Sequence, residues 1–147
     1  ELLYTSGKVR SFGVSNFTPS QVKLLQSTVP VGVHQLEVSL KDVSAFDDGR
    51  LDQCTLDGIV PMAWSPLGGG TLPKGVSTVL DTLASEFEVT PQAIALAWLL
   101  QHPSGILPVV GTTKAENLEA AHLALNIKLD RQQWYTIYQA ATGITLP

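Results

Sequence analysis

The sequence predicts an α/β fold of about four parallel strand–helix units followed by a C-terminal helix. Short β-prone apolar runs alternate with helix-like segments along the 147 residues, an order typical of parallel strands joined by crossover helices. Glycines and small polar residues follow the strand runs, where the ligand sites of such folds lie. The order fits either a doubly wound sheet or an arc of a (β/α) barrel, of which a complete example takes about 250 residues.

Composition indicates a single domain over residues 1–147. Hydrophobic residues make up 44% and charged residues 15%, which allows a core and is too little charge for a disordered chain. The net charge of −4 argues against a nucleic-acid partner. One cysteine excludes an internal disulfide framework and a cysteine-rich zinc site, and no apolar run is long enough to cross a membrane. We therefore expect a cytoplasmic protein in which Cys54 is a small residue near a helix face.

The first unit has a clear helix start. Residues 9–14 are β-prone and follow turn residues. Thr18 is the expected N-cap of the next helix, because Pro19 suits the first helical position and Gln21 completes a capping box.

The second strand lies within residues 31–40, and its side chains alternate between two faces. One face carries Val33, Gln35 and Glu37, and the other carries His34, Leu36 and Val38. His34 lies among apolar neighbours, which favours a structural role over a ligand role. A polar segment then leads to a short helix over residues 50–57.

The third unit begins with a strand over residues 58–64 and continues through a glycine-rich loop. A helix is expected over residues 76–87. Thr90 then opens the strongest helix, residues 91–101, which is apolar nearly all round and so is expected to be buried.

The fourth strand covers residues 106–110. Thr113 and Glu116 form a capping-box pattern for the helix that follows it. A last helix begins near Asp130.

Residues at or near the ends of the first two strands have both structural and binding interpretations. Asn16 could shape the strand-to-helix turn or bind a ligand. Gln35 could be a satisfied interior amide or a ligand-binding one.

The residues after the third and fourth strands are open to the same two interpretations. Trp64 could belong to the core or stack on a flat ring, and the glycines at 68–70 could form a plain loop or a nest of N–H donors for phosphate. Residues 112–114 lie at a helix N-terminus, which favours an anion. Neither a Rossmann glycine fingerprint, a P-loop nor a Ser/His/Asp nucleophile set is present.

Four motifs in order identify a family resemblance that covers nearly the whole chain. They are GKVRSFGVSNF, HQLEVS, MAWSPLGGG and LPVVGTTKAENLEAA. Together they resemble the second half of an aldo-keto reductase, in its bacterial YdhF-like oxidoreductase branch. The resemblance implies half of a (β/α)8 TIM barrel, with the family's strands five to eight.

The resemblance also implies a site for a nicotinamide cofactor. Ser15, Asn16 and Gln35 would hold the carboxamide, and Trp64 stands where the family usually has a tyrosine that stacks on the nicotinamide ring. The residues implied along the diphosphate are Ser65, Leu67 and Gly69.

At the adenosine end, the resemblance places Thr112, Thr113 and Lys114 at the ribose and its 2′-phosphate, which favours NADP over NAD. Asn117 falls where many relatives have an arginine or glutamine. The family often ends this helix with a Glu-Asn pair, and here Ala120 and Ala121 stand there instead.

The family's catalytic tyrosine, lysine, aspartate and histidine come from the first half of its barrel. Tyr4, Tyr135 and Tyr138 do not follow a predicted strand, so none of them replaces that tyrosine. We therefore expect a carbonyl oxidoreductase half that binds its cofactor and lacks turnover alone. The alternative is a non-catalytic nucleotide-binding or interaction module. The unpaired edges of half a barrel also predict either a homo-oligomer or a missing N-terminal half.

Overall fold

Four parallel strands form one sheet in chain order. The structure is a computed structural model that describes residues 2–145. The strands are β1 (Phe12–Ser15), β2 (Val31–Glu37), β3 (Val60–Trp64) and β4 (Leu107–Pro108). The helices are α1 (Leu2–Thr5), α2 (Pro19–Gln26), α3 (Arg50–Asp57), α4 (Lys74–Phe87), α5 (Pro91–Leu100), α6 (Ala115–Leu123) and α7 (Arg131–Thr142). Single 3₁₀ turns cover Ser44–Phe46, Gly68–Gly70 and Ala124–Asn126.

Local start signals fix several helices where the sequence predicts them. Thr18 and Gln21 form the expected capping box of α2, with the Thr18 amide donating to Gln21 Oε1 over 2.9 Å. Thr90 caps α5 through its hydroxyl, which accepts a hydrogen bond from the Ala93 amide at 3.3 Å. Asp130 Oδ1 accepts from the Gln133 amide at 2.8 Å, so α7 also begins as predicted.

Two strands differ from the prediction. β1 begins at Phe12, three residues later than expected, and extends to Ser15. β4 contains only two residues instead of five. Pro108 has no N–H for the ladder, and within the described sheet β4 pairs on one side only, with β3.

The predicted capping box of α6 is wrong. Lys114, not Thr113, is the N-cap of this helix, and its side chain makes no capping bond. Thr112 takes over instead, because its hydroxyl accepts from the Lys114 amide at 3.2 Å and from Asn117 Nδ2 at 3.0 Å. The helix therefore starts one residue later than the pattern indicated.

The two faces of the sheet differ in burial. His34 and Leu36 are fully buried on the face that packs against the helices. Register places Gln35 beside Met62, and Met62 beside Leu107, on the opposite face. We call this opposite face the open face. It exposes 40% of Val60 and 49% of Leu107, so apolar side chains of the sheet remain uncovered there.

The main core lies between the sheet and the C-terminal helices. Residues 93–99 of α5 are buried without interruption, which confirms the prediction of a helix apolar nearly all round. Trp98 stacks on Phe46 and Trp134, with ring centroids 5.4 and 5.0 Å away. Each of the two indoles donates to the other residue's carbonyl oxygen, at 3.2 and 3.0 Å. These reciprocal bonds attach α7 to α5.

A smaller cluster packs under α2 and α3 and contains Cys54. Cys54 lies in α3, which confirms the expected position on a helix, and its side chain is only 1% exposed. Burial, with Asp57 nearby, raises the pKa of the thiol to about 11. Cys54 therefore stays protonated near neutral pH and is a packing residue, since the thiolate is the reactive form.

Candidate functional site

The carboxyl ends of β1 and β2 bring three of the predicted site residues together. Ser15 pairs in register with Gln35, and the Asn16 amide donates to the Gln35 carbonyl at 2.9 Å. Because the strands are parallel, these residues lie at the same edge of the sheet as the end of β3. The predicted cluster after the first two strands therefore forms.

Trp64 joins this cluster from β3. Its Nε1 donates to Asn16 Oδ1 over 3.0 Å, although 48 residues separate the two in sequence. The side chain is half-buried, and it links β1 to β3 across the intervening β2. Trp64 therefore lies beside Asn16 at the carboxyl edge and is not among the buried residues of the main core.

Left-handed backbone follows β1 and β3 at the edge. Asn16 has φ of 57° and Ser65 has φ of 48°, and each comes directly after the last residue of its strand. A non-glycine residue in this region costs about 1 kcal/mol or more. Such strain is concentrated at binding and catalytic sites, because the turn it produces places a side chain where an unstrained backbone would not.

His34 stabilises the turn that follows β1 through a hydrogen bond. Its Nε2 accepts a hydrogen bond from the Phe17 amide at 3.2 Å, next to Asn16 in sequence. Burial is the main cause that lowers the pKa of His34, and the Arg50 charge adds to it. A neutral, fully buried imidazole in this position confirms the structural interpretation of His34.

The glycine-rich loop after β3 turns on itself. Gly68, Gly69 and Gly70 all have positive φ. The Gly68 amide donates to the Ser65 carbonyl at 2.8 Å, and the Gly70 amide donates to the Leu67 carbonyl at 3.1 Å. Two of the three glycine amides are thus used within the loop, and the third glycine, Gly69, is exposed.

Leu67 differs from its neighbours in this loop, because its side chain packs against the main core. Any contact of Leu67 with a ligand would therefore use its backbone. Ser65 is half-buried at the start of the loop. It follows Trp64 in sequence and lies between Trp64 and the glycines.

The segment between β4 and α6 follows the last strand at the carboxyl edge of the sheet. The Val109 amide donates to the Ala63 carbonyl at 2.8 Å, which keeps the chain beside β3 past the end of β4. Thr113, Lys114 and Asn117 are exposed. The Thr112 hydroxyl is already bonded to Lys114 and Asn117, so it fixes the shape of this segment.

Residues 2–145 contain no group of three or more His, Cys, Asp and Glu side chains able to hold a metal ion. None of the helices they form has the length and apolar character needed to cross a bilayer.

Comparison with known proteins decides the family. The model of the aldo/keto reductase family matches residues 1–142. The chain belongs to the aldo/keto reductase family. This family consists of oxidoreductases that generally bind nicotinamide cofactors, and the resemblance read from the four motifs is confirmed.

Two bacterial relatives show how much of a family member the chain represents. It is 40% identical to a 6-dehydroglucose reductase of Novosphingobium aromaticivorans over 97% of this chain and 50% of the relative. It is 42% identical to the oxidoreductase YdhF of Escherichia coli over 99% of this chain and 51% of the relative. The chain thus spans about half the length of these curated relatives.

The fold has a solved counterpart in the same family. The thermostable aldo-keto reductase Tm1743, crystallised with the inhibitor epalrestat, superposes with a TM-score of 0.89 at 26% identity. The match covers 95% of this chain and 51% of that one. The four parallel strand–helix units therefore correspond to half of an aldo-keto reductase barrel, as predicted.

Sequence reasoning did not find every contact that shapes the site. The bond from Trp64 to Asn16 joins residues far apart in sequence, and no local pattern signals it. The Phe17 contact of His34 is similar, although the position of His34 on the helix-facing side of β2 indicated its structural role.

Proposed function

We propose that this chain is the cofactor-binding half of an NADP-dependent carbonyl oxidoreductase. The observation that carries the proposal is the cluster of Ser15, Asn16, Gln35 and Trp64 at the carboxyl edge of the sheet. It combines two side-chain amides with a flat aromatic ring, which suits the carboxamide and the ring of nicotinamide. When bound, the cofactor supplies the hydride for carbonyl reduction.

The amides of the cluster keep hydrogen-bonding capacity for a ligand. The Asn16 side-chain oxygen accepts the hydrogen bond from the Trp64 indole, and this bond does not involve its NH₂ group. The half-buried Gln35 side chain makes no hydrogen bond to another residue of the described range 2–145. Partly buried amides of this kind are normally paired, and a carboxamide offers both the donor and the acceptor that would pair them.

The glycine-rich loop extends the same site toward a diphosphate. Ser65 and the backbone of Leu67 and Gly69 would line it, with Gly69 free of any side chain that would block a close approach. A backbone N–H of an exposed glycine in left-handed conformation is a suitable donor to a phosphate oxygen.

The preference for NADP over NAD rests on the segment before α6. Lys114 is exposed at the N-terminus of this helix, where the helix dipole and the ammonium group both attract a phosphate. Thr113 lies beside it, and the bonds of Thr112 to Lys114 and Asn117 hold the segment in place. A 2′-phosphate is the group of NADP that could use this charge.

The substrate is proposed to be a carbonyl compound. The relatives named 6-dehydroglucose reductases support this class, since a dehydro-sugar carries the carbonyl that a hydride would reduce. The protein is also proposed to be cytoplasmic, and its one cysteine, which is buried and free, is compatible with a reducing compartment.

The chain alone is proposed to bind without turnover, because reduction also needs an acid for the developing alkoxide. Tyr4 is in α1, and Tyr135 and Tyr138 are in α7, so none of the three follows a strand directly. Burial, with Asp47 and Tyr135 nearby, raises the pKa of Tyr138, which makes it a weaker acid. The first half of the family's barrel would supply the missing group.

A second candidate function is a non-catalytic module that self-associates. The observation in its favour is the open face, where Val60 and Leu107 are uncovered. A face of this kind favours association, either with the half of the barrel that relatives carry or with another copy of this chain. Light scattering distinguishes the two, since a defined dimer supports self-association and a monomer contradicts it.

Replacement of single leucines tests which surface of the chain carries self-association. Leu107→Ser should weaken self-association if the open face carries it, because the serine removes an apolar contact. Leu56→Ser is the matched control, since Leu56 is 85% exposed on α3 and lies outside the sheet. Equal effects of the two variants would argue against the open face.

Titration of the chain with NADPH and NADH tests the main proposal. We expect saturable binding of NADPH, weaker binding of NADH and no reduction of simple aldehydes by the isolated chain. Quenching of tryptophan fluorescence is the readout, with Trp64→Phe used to identify its share of the signal. Absence of NADPH binding at millimolar concentration would contradict the proposal, and turnover would contradict the assignment of the acid to the other half.

A further inference from the structure

The bond between Trp64 and Asn16 determines which way the Asn16 amide points. Trp64 Nε1 lies 3.0 Å from Asn16 Oδ1. An indole N–H can donate a hydrogen bond and cannot accept one. The amide oxygen of Asn16 must therefore face Trp64, and its NH₂ group must point away from the indole.

The backbone on both sides of Asn16 is already fixed. Its own amide donates to the Gln35 carbonyl at 2.9 Å, and the next amide, of Phe17, donates to the buried His34 at 3.2 Å. Left-handed backbone at Asn16 sets the direction of its Cα–Cβ bond. The side chain still has its χ1 rotamers and the two-fold flip of its amide, and the indole bond selects the rotamer and the flip state that place the oxygen on Trp64.

We propose that Trp64 is a positioning residue whose indole N–H holds Asn16 as a hydrogen-bond donor toward the carboxamide oxygen of a nicotinamide cofactor. This role rests on the proposed cofactor site. The Asn16 NH₂ group makes no hydrogen bond to another residue among 2–145, so it is available to that oxygen. Trp64 then contributes in two ways, through the face of its ring and through its N–H.

The chemistry of other aromatic residues shows what the indole adds. A phenyl ring at position 64 offers a face for stacking and no donor. A phenol hydroxyl either donates or accepts, so it would leave both amide orientations open. Only the indole combines a flat ring with a group that donates and never accepts.

A double-mutant cycle tests the role in binding. Trp64→Phe and Asn16→Ala are each expected to weaken NADPH binding about fivefold, the value of one hydrogen bond. The double variant should bind NADPH about as tightly as the single variant with the lower affinity, because both changes remove the same interaction. Additive losses in the cycle would overturn the role of Trp64.

The fragment 2′,5′-ADP separates this role from the proposed function. It carries the adenosine phosphates of NADP and no nicotinamide, so both single variants should bind it as tightly as the wild type. Unchanged NADPH binding by Trp64→Phe would overturn the positioning role and leave the proposed function standing. Failure of the wild type to bind either compound would contradict the proposed function, and the positioning role with it.

Nuclear magnetic resonance provides a readout that needs no cofactor. The Trp64 indole N–H should exchange with solvent faster in Asn16→Ala than in the wild type, because its acceptor is gone. The indoles of Trp98 and Trp134 are the internal controls, since they donate to backbone carbonyls in the core and should keep their exchange rates. An unchanged rate at Trp64 would show that the bond to Asn16 does not exist in solution.

Discussion

His34 Nε2 accepts a hydrogen bond from the Phe17 amide at 3.2 Å, so a buried imidazole on β2 holds the turn that follows β1. The imidazole can accept this bond only while that nitrogen is unprotonated. Protonation would both bury a charge and remove the acceptor. The turn that carries Asn16 therefore depends on the neutral form of His34.

Stability should fall as the pH falls below about 6.5, the ordinary pKa of histidine. Burial lowers the pKa of both His34 and His102 in the folded state. The unfolded chain therefore binds protons first, and the stability present above this pH is lost toward the lower folded pKa. Urea unfolding at about pH 7.5 and about pH 5.5 measures the loss.

Variants assign this pH dependence to the two histidines. His34→Gln and His102→Gln should each reduce the difference in unfolding free energy between the two pH values, and the double variant should nearly abolish it. A glutamine oxygen can still accept from the Phe17 amide, so folding should be retained. An undiminished pH dependence in the double variant would assign it to other groups.

Gly68→Ala should destabilise the protein by about 2 kcal/mol or more. Positive φ alone costs about 1 kcal/mol for a residue with a side chain. At Gly68 a Cβ would also lie 3.1 Å from Lys41 Cβ and 3.2 Å from Leu72 Cδ2. Gly69→Ala is the matched control, because it has nearly the same φ and open space around it. Equal losses in the two unfolding curves would contradict the close packing of Gly68.

Lys114→Ala should weaken NADPH binding about tenfold and leave NADH binding unchanged, because a charged hydrogen bond to phosphate is lost. Lys128→Ala removes the same charge from an exposed position after α6 and serves as control. The dissociation constants from fluorescence titration decide the outcome. Parallel weakening of both cofactors would argue against a 2′-phosphate at Lys114.

Trp134→Phe should cost about 1–2 kcal/mol of unfolding free energy. The phenyl ring keeps stacking on Trp98, but the carbonyl of Trp98 loses the indole donor that lies 3.0 Å away. This carbonyl is in the last turn of α5, where the helix itself provides no partner. Tyr135→Phe is the control, since Tyr135 is 38% exposed and its change should be within about 0.5 kcal/mol. Similar urea midpoints for the two variants would contradict this.

Most of the fold was predictable because local chemistry determines it. The capping boxes at Thr18 and Asp130 use neighbouring residues only, and the alternation within β2 follows from its two unlike faces. The start of α6 was not predictable in this way. Thr113 and Glu116 have the spacing of a capping box. The Thr112 hydroxyl instead accepts hydrogen bonds from the Lys114 amide and the Asn117 side chain.

The candidate site was predictable in its location and not in its internal contacts. The carboxyl ends of parallel strands meet at one edge of the sheet, so Ser15, Gln35 and Trp64 near those ends could be grouped from the sequence. The hydrogen bond from Trp64 to Asn16 depends on how β1 and β3 sit on either side of β2. The short β4 likewise depends on its edge position, which only the tertiary structure defines.

The glycine-rich loop has a consequence for the energetics of binding. Gly68 and Gly70 donate their amides to Ser65 and Leu67, so the loop keeps its shape through its own bonds. A ligand that binds there meets a preorganised surface and loses little affinity to the entropy of ordering it. Glycine adopts these left-handed conformations without the steric cost that other residues have, so the turn that makes the two bonds forms without backbone strain.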